Sequence, residues 1–143
     1  MATQTSSFVV ELPLRVCPTL EEWVEKAFEL GRNIYNATLG GVLGRIRAMR
    51  ESRAWREACA MPKGAERNKR LKAVRESFRL TKYDLFADAN DHRNGSGRGE
   101  FLGAHEAQQI ALTVWKAVDN YLFRKGGLPR FKSASRGLHC VRR

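Results

Sequence analysis

Apolar residues recur at three- and four-residue steps between residues 20 and 49. The positions are Leu20, Trp23, Val24, Ala27, Phe28, Ile34, Tyr35, Leu39, Val42, Leu43, Ile46 and Met49. Side chains with this spacing share one stripe of an α-helix, so we predict a long helix whose stripe belongs to the core. Thr19 and Glu22 form a capping-box pattern that marks its start. Gly40 and Gly41 predict a kink or break, and glycine there also lets another backbone approach closely.

The pattern beyond this stripe predicts further helices. A basic continuation of the first helix is ended by the proline and glycine of residues 61–64. A second helix is predicted over residues 65–80, and an N-cap at Thr81 opens a short third one. The cleanest helical period covers residues 105–123, after which the glycines and proline of residues 126–129 stop the helix.

The remaining segments contribute little regular structure. Residues 8–16 are rich in β-branched and aromatic side chains and predict one strand, with a bulge or an edge at Pro13. Residues 93–99 hold three glycines and predict a flexible loop. The sequence therefore predicts a mainly α fold, a bundle of about four helices with one N-terminal strand and an incomplete β segment at the C-terminal end.

Charge is distributed in blocks along the 143 residues, whose net charge is +11. Residues 45–82 carry a net +9 and residues 116–143 a net +7, whereas residues 1–44 and 83–115 carry −2 and −3. Like charges gathered in this way repel one another unless a polyanion lies between them. Nucleic acid is the simplest partner, and a solvated helix face that keeps the protein soluble is the alternative.

Several protein classes are excluded by what the sequence lacks. No apolar run is long enough to cross a bilayer and no signal peptide precedes the first helix, so we expect a cytoplasmic protein without a membrane partner. The three cysteines, Cys17, Cys59 and Cys140, are odd in number and far apart, so neither a disulfide framework nor a zinc cage is expected. We expect no catalytic residue, no resident metal and no cofactor in this chain.

Three aspartates are the one arrangement that suggests a cation site. Asp84, Asp88 and Asp91 lie at helical three- and four-residue steps and could share a face that holds a divalent ion. An exposed helix face that balances the neighbouring basic block is the favoured alternative.

Aromatic side chains stand among the cations of the two basic blocks. They are Trp55 in the first block and Tyr121, Phe123 and Phe131 in the second. Arginine and lysine neutralise phosphates while an aromatic ring stacks on a base, a combination typical of RNA and single-strand binding. Phe131 is the best candidate for stacking because it lies outside the predicted helices, although a place in the core is favoured for it.

The C-terminal part of the chain resembles a known family. The run His-Glu-Ala-Gln-Gln at residues 105–109, the helix that follows it, and Gly-Leu-Pro-Arg-Phe-Lys-Ser at residues 127–133 are similar to the amino-terminal part of transposon-encoded TnpB proteins and the related type V CRISPR effectors. Residues 33–39, Asn-Ile-Tyr-Asn-Ala-Thr-Leu, resemble the Tyr-Asn helix of the same family. The Pro-Arg-Phe-Lys turn is the more distinctive of these motifs.

The resemblance implies the wedge and recognition part of an RNA-guided DNA endonuclease. Residues 7–17 would be the first wedge strand, residues 19–124 the helical recognition region, and residues 125–143 the basic turn and the start of the remaining wedge strands. The family's RuvC-like nuclease, which uses Mg²⁺, would follow residue 143. We therefore expect the chain to bind guide-type structured RNA and target DNA without cleaving on its own.

The resemblance also implies site residues. Tyr35, Asn36, Gln108, Gln109 and Lys116 would face the target duplex or the heteroduplex, and Arg130 and Lys132 would hold the backbone, with Phe131 in the turn. The candidate phosphate contacts in the basic blocks are Arg53, Arg56, Arg67, Arg70, Arg124 and Lys125. The alternatives are a small basic helical regulator that binds nucleic acid or an acidic protein, and a small nuclease whose metal is held by the three aspartates.

Overall fold

The computed structural model describes residues 9–13 and 15–135. The helices of these residues are α1 (Pro18–Glu51), α2 (Arg53–Ala60), α3 (Ala65–Ser77), α4 (Lys82–Gly95) and α5 (Ala104–Phe123). The fold is mainly helical, as the sequence predicts. None of these helices is both long enough and apolar enough to span a bilayer, within the residues described.

Helix α1 begins one residue before the predicted capping box and runs without interruption past its glycines. Its N-cap is Cys17, which makes no side-chain cap, and Pro18 occupies the first turn. The Thr19–Glu22 capping box is therefore wrong, because proline at the first helical position has a preset φ and needs no backbone acceptor. The predicted break at Gly40 is also wrong: α1 is continuous from Pro18 to Glu51, and buried residues on both sides, from Leu30 to Met49, pack it against the core.

Ser52 divides the predicted first helix into α1 and α2. Its backbone is extended, with φ −71° and ψ 148°. Its hydroxyl donates to the Met49 carbonyl at 2.6 Å and accepts from the Trp55 amide at 3.2 Å. One side chain thus satisfies orphan groups on both helices, which is the competition with helical hydrogen bonding that serine typically offers.

Helix α3 ends three residues earlier than predicted, in a left-handed turn. Arg79 has φ +54°, and the amides of Arg79 and Leu80 donate to the carbonyls of Glu76 and Arg75 at 3.1 and 3.0 Å. These two bonds form a Schellman motif, whose left-handed position usually belongs to glycine. An arginine there costs about 1 kcal/mol, which contacts elsewhere must offset.

Helix α4 confirms its predicted cap and is longer than predicted. The Thr81 hydroxyl accepts from the Asp84 amide, and the Asp84 carboxylate accepts from the Thr81 amide at 3.2 Å. The helix continues to Gly95 and so takes up the start of the predicted 93–99 loop. The Arg93 side chain orders the turn that follows by donating to the carbonyls of Leu102 and Gly99 at 2.5 and 3.0 Å.

The core lies where α1, α4 and α5 pack together, with α2 and α3 paired beside α1. Helix α5 buries the apolar stripe predicted for it, namely Ala107, Ile110, Ala111, Val114 and Val118. Leu39 and Val42 of α1 and Leu85 of α4 are fully buried against it. The buried faces of α1, α4 and α5 therefore meet in one core.

The predicted N-terminal strand does not form in its described residues. Residues 9–13 and 15–17 have no regular secondary structure, and the first residue of the predicted strand, Phe8, lies outside the described part together with Leu14. Val9 is 92% exposed and Leu12 is 81% exposed. A strand needs a partner for its backbone groups, and none of the described elements offers one.

Candidate nucleic-acid interface

Residues 125–135, the docked segment, leave α5 and lie back along α1. The Asn36 side chain donates from Nδ2 to the Lys132 carbonyl at 2.8 Å and accepts from the Lys132 amide at 2.7 Å. The Asn36 amide thus pairs with both backbone polar groups of one residue, much as a residue of a neighbouring strand would. Residues 33–39 and 127–133 therefore meet at this contact.

Gly40 leaves room for the aromatic ring of the docked segment. A Cβ built at Gly40 would lie 3.7 Å from the Phe131 ring, which is ordinary van der Waals contact. Phe131 nevertheless stays 56% exposed. Its ring is neither in the core nor fully free, because it covers the helix backbone at Gly40 and presents its remaining surface to solvent.

Tyr35 and Asn36 are held inside the protein. Tyr35 is only 4% exposed, and the Lys132 ammonium lies 5.3 Å from the centroid of its ring. Asn36 is half-buried, and each of its polar side-chain atoms makes one hydrogen bond to the Lys132 backbone. Both side chains therefore hold the docked segment, and their facing a duplex stays a prediction.

Burial makes stability depend on the ionisation of Tyr35. Desolvation raises the pKa of its hydroxyl above the usual 10.0. The neutral phenol is thus favoured in the folded state, so this contribution to stability is complete below pH 10 and is lost as the pH rises above it. Tyr35→Phe is expected to reduce the alkaline loss of stability, by at most about 1.4 kcal/mol per pH unit.

Urea unfolding between pH 9 and pH 11 measures this effect, with Tyr83→Phe as the matched control. Tyr83 is 73% exposed. Parallel alkaline slopes for wild type and Tyr35→Phe would contradict the expectation.

The exit from α5 requires a glycine at one position. Lys125 has φ +57°, and the Gly126 amide donates to the Asn120 carbonyl oxygen at 3.0 Å. A Cβ at Gly126 would lie 3.1 Å from the Asn120 backbone carbon and closer still to its side chain. The double glycine at residues 126–127 therefore turns the chain onto α1, beyond its predicted role of stopping the helix.

A long side chain at position 40 is expected to release the docked segment. Gly40→Gln would place its side chain where the Phe131 ring lies, whereas Gly41→Gln is the matched control because nothing lies within 4 Å of a Cβ there. Both variants gain about the same helix propensity, roughly 0.5–1 kcal/mol. Limited proteolysis after Arg130 is expected to be at least severalfold faster in Gly40→Gln than in Gly41→Gln, and equal rates would contradict the docking.

The first basic block is mostly unpaired. Of the thirteen basic side chains in residues 45–82, all of which the structure describes, four pair with a carboxylate: Arg45, Arg53, Lys72 and Arg79. The Lys72 pair is long, at 4.0 Å, and the Arg53 pair with Glu57 is an exposed i,i+4 contact of 2.6 Å. Exposed pairs of this kind contribute little, so most of the positive charge remains available to an anion.

The predicted cations of α2 and α3 differ in their surroundings. Arg56 donates to the Glu51 carbonyl at 2.6 Å and stays exposed, as does Arg53. Arg70 is exposed with no ion pair in the described part of the chain. Arg67 is half-buried, and its Nε has no hydrogen-bond partner among the described residues.

The remaining predicted residues lie on α5 and in the docked segment. Gln108 and Lys116 are exposed and Gln109 is half-buried, so the first two are open to a ligand. Arg124 is exposed and lies 3.7 Å from Asp119. Lys125 and Arg130 are both exposed, and neither has a carboxylate partner among the described residues.

Two of the three aspartates of α4, Asp84 and Asp88, make contacts within the fold. Asp84 caps its helix, and Asp88 pairs with Arg45 and, at 3.5 Å, with Arg79. Across the described residues no cluster of three acidic, histidine or cysteine side chains could hold a metal ion. Asp84 and Asp88 thus pair with cations of the neighbouring basic block, as the favoured alternative expects, but both are half-buried, and of the three aspartates Asp91 alone lies on an exposed face.

Two of the four predicted stacking candidates are held in structural contacts. Trp55 packs against the core. The Arg75 guanidinium lies 4.7 Å from the centroid of the Phe123 ring and joins α3 to the end of α5. Tyr121 and Phe131 remain near the surface that α1 shares with the docked segment.

Sequence reasoning missed a groove, here named the arginine groove, between α1, α5 and the docked segment. Its volume is about 310 Å³, and its lining is Leu43, Ile46, Arg47, Arg50, Glu51, Tyr121 and Leu128. The Arg50 guanidinium donates to the Tyr121 hydroxyl at 3.0 Å and lies 5.2 Å from the ring centroid. One signal in the sequence pointed to this groove. Arg47 lies about two turns after Gly40, so it is on the same face of α1 as Asn36 and Gly40.

No family model, no curated protein and no solved structure matches this chain.

Proposed function

We propose that this chain is a cytoplasmic nucleic-acid-binding module that corresponds to the wedge and recognition part of a TnpB-like RNA-guided endonuclease. It would bind structured guide RNA and the adjoining target DNA through its cationic surfaces. Its described residues hold no catalytic constellation, and cleavage in that family belongs to a separate RuvC-like domain. The role proposed for this chain is therefore binding.

The observation that carries the proposal is the set of unneutralised cations at the end of α1 and on α2 and α3. Only four of the thirteen basic side chains there meet a carboxylate. Like charges on such a surface repel one another and lower the stability of the fold. Binding of a polyanion relieves this repulsion and releases the counterions condensed on the polyanion. An ordinary solvated face would pair more of these charges.

The docked segment supports the more specific part of the proposal. Asn36 of one resembling motif binds the backbone of Lys132 in the other, so both belong to one structural unit. We propose that residues 9–17 and 125–135 become wedge strands when further backbone pairs with them. Residues 9–13, 15–17 and 125–133 form no regular secondary structure, so their backbone has no ladder partner within the described residues.

The test is fluorescence anisotropy of the purified chain with a structured RNA hairpin and with duplex DNA over a range of salt. For six to ten phosphate contacts, affinity is expected to fall by about 10³-fold or more between 50 and 200 mM salt. Heparin is expected to compete, and an acidic protein such as a polyglutamate fusion is not. If the anisotropy of neither the RNA nor the DNA probe rises on adding the chain, even in low-salt buffer, the proposal is overturned.

A nuclease assay separates binding from the metal-dependent alternative. RNA and DNA incubated with the chain in Mg²⁺ or Mn²⁺ are expected to stay intact while remaining bound. Cleavage that disappears on Asp91→Asn would instead favour the small nuclease.

A further inference from the structure

The arginine groove has the composition of a site for a flat, anionic ligand. Its apolar part is formed by Leu43, Ile46 and Leu128, and Leu128 is 61% exposed. Two guanidinium groups and one carboxylate, that of Glu51, share the remaining lining, which leaves an excess positive charge. Its volume, about 310 Å³, lies at the lower end of small-molecule sites.

Arg50 is held in place before any ligand arrives. Its Nη1 donates to the Tyr121 hydroxyl at 3.0 Å, and its guanidinium also lies over the Tyr121 ring. The side chain remains exposed. A planar guanidinium fixed on a ring at the wall of an apolar groove provides a stacking surface for a second flat group, with little further loss of rotamer freedom.

Arg47 supplies the charge for a phosphate. It lines the groove one turn before Arg50, it is exposed, and no carboxylate pairs with it in the described part of the chain. Paired bases within a duplex cannot enter a groove of this kind, because their faces are covered by stacking. An unpaired nucleotide suits both parts of the lining, because its base can contact the apolar side chains while its phosphate binds the arginines.

We infer that the arginine groove binds one unpaired nucleotide, with the base between Leu128 and the Arg50 guanidinium and the phosphate at Arg47. This inference rests on the proposed function and deepens it: the protein discriminates single-stranded or looped nucleic acid from a continuous duplex. The ordering of the docked segment on α1 is part of the site, because Leu128 belongs to that segment.

The test compares a short fluorescein-labelled oligouridylate with an RNA duplex of equal length as binding probes. Leu128→Glu puts a carboxylate in the groove and is expected to weaken single-strand binding about tenfold or more. Leu20→Glu is the matched control, since it makes the same charge change at a 46% exposed leucine of α1, about 35 Å along that helix from Leu43 of the groove. The control is expected to change both affinities by less than about threefold.

A second variant keeps the charge unchanged. Arg50→Lys retains the positive charge but removes the planar guanidinium, and it is expected to weaken oligouridylate binding severalfold while leaving duplex binding unaltered. The inference is overturned, with the proposed function left intact, if Leu128→Glu and Leu20→Glu weaken oligouridylate binding equally. The same conclusion follows if Arg50→Lys weakens binding to both probes equally. Failure of the wild-type chain to bind either probe would overturn the proposed function itself.

Discussion

Replacing Asp88 by alanine is expected to lower the free energy of unfolding by about 3 kcal/mol. Its side chain is 17% exposed and accepts from Arg45, whose side chain is 23% exposed. It also lies 3.5 Å from Arg79, the residue with φ +54°. The substitution would leave two guanidinium groups without their principal partner and remove a contact that offsets the strain at Arg79.

Asp91→Ala is the matched control, because Asp91 lies on the same helix and is exposed. It is expected to change the free energy of unfolding by less than about 0.5 kcal/mol. Urea unfolding followed by circular dichroism measures both variants. If the two lose the same stability, Asp88 does not organise the junction of α1, α3 and α4 as described.

Removing three unpaired cations from the first basic block is expected to weaken nucleic-acid binding by about two to three orders of magnitude at 0.1 M salt. The variant is Lys63→Gln, Lys69→Gln and Arg70→Gln, at three exposed positions without ion pairs in the described chain. If each side chain neutralises one phosphate, the log–log salt slope falls by about 0.9 per residue on duplex DNA and about 0.7 on single strands. Salt titrations by fluorescence anisotropy give both quantities.

A control of equal charge distinguishes location from net charge. Arg15→Gln, Lys26→Gln and Arg98→Gln also remove three positive charges, but from the segments with a net negative charge. Lys26 and Arg98 already face Glu22 and Glu29, at 2.8 and 3.6 Å. If this control changes the salt slope as much as the block variant, the surface at α2 and α3 is not the binding site.

Periodicity predicted the helices well where one apolar stripe decides the outcome. Helix α5 has the bounds and the buried face expected of it, and the Thr81 cap opens α4 as expected. The predicted helix boundaries were wrong where a single residue replaces or removes a helical hydrogen bond. The two hydrogen bonds of Ser52 and the first-turn proline at Pro18 act locally, and neither changes the apolar spacing from which the helices were predicted.

The site was harder to predict because its contacts join distant parts of the chain. The side-chain amide of Asn36 is suited to reading a base edge. Only the position of Lys132, 96 residues away, shows that this amide is hydrogen-bonded within the chain. The sequence did predict that glycine near position 40 admits a close approach, although an aromatic ring and not a backbone lies there. The arginine groove also depends on the docked segment lying against α1, because Leu128 lines it. The spacing of residues along the sequence does not predict this long-range contact.

The attachment of Lys132 to Asn36 has a consequence for the order of folding. A contact between residues 96 positions apart closes a long loop and gains only two hydrogen bonds in return. The helices, with their local contacts, are therefore expected to assemble first, and the segment to settle on a bundle that already exists. For the same reason it can detach without unfolding that bundle, so its amide protons should exchange with solvent sooner than those of the core.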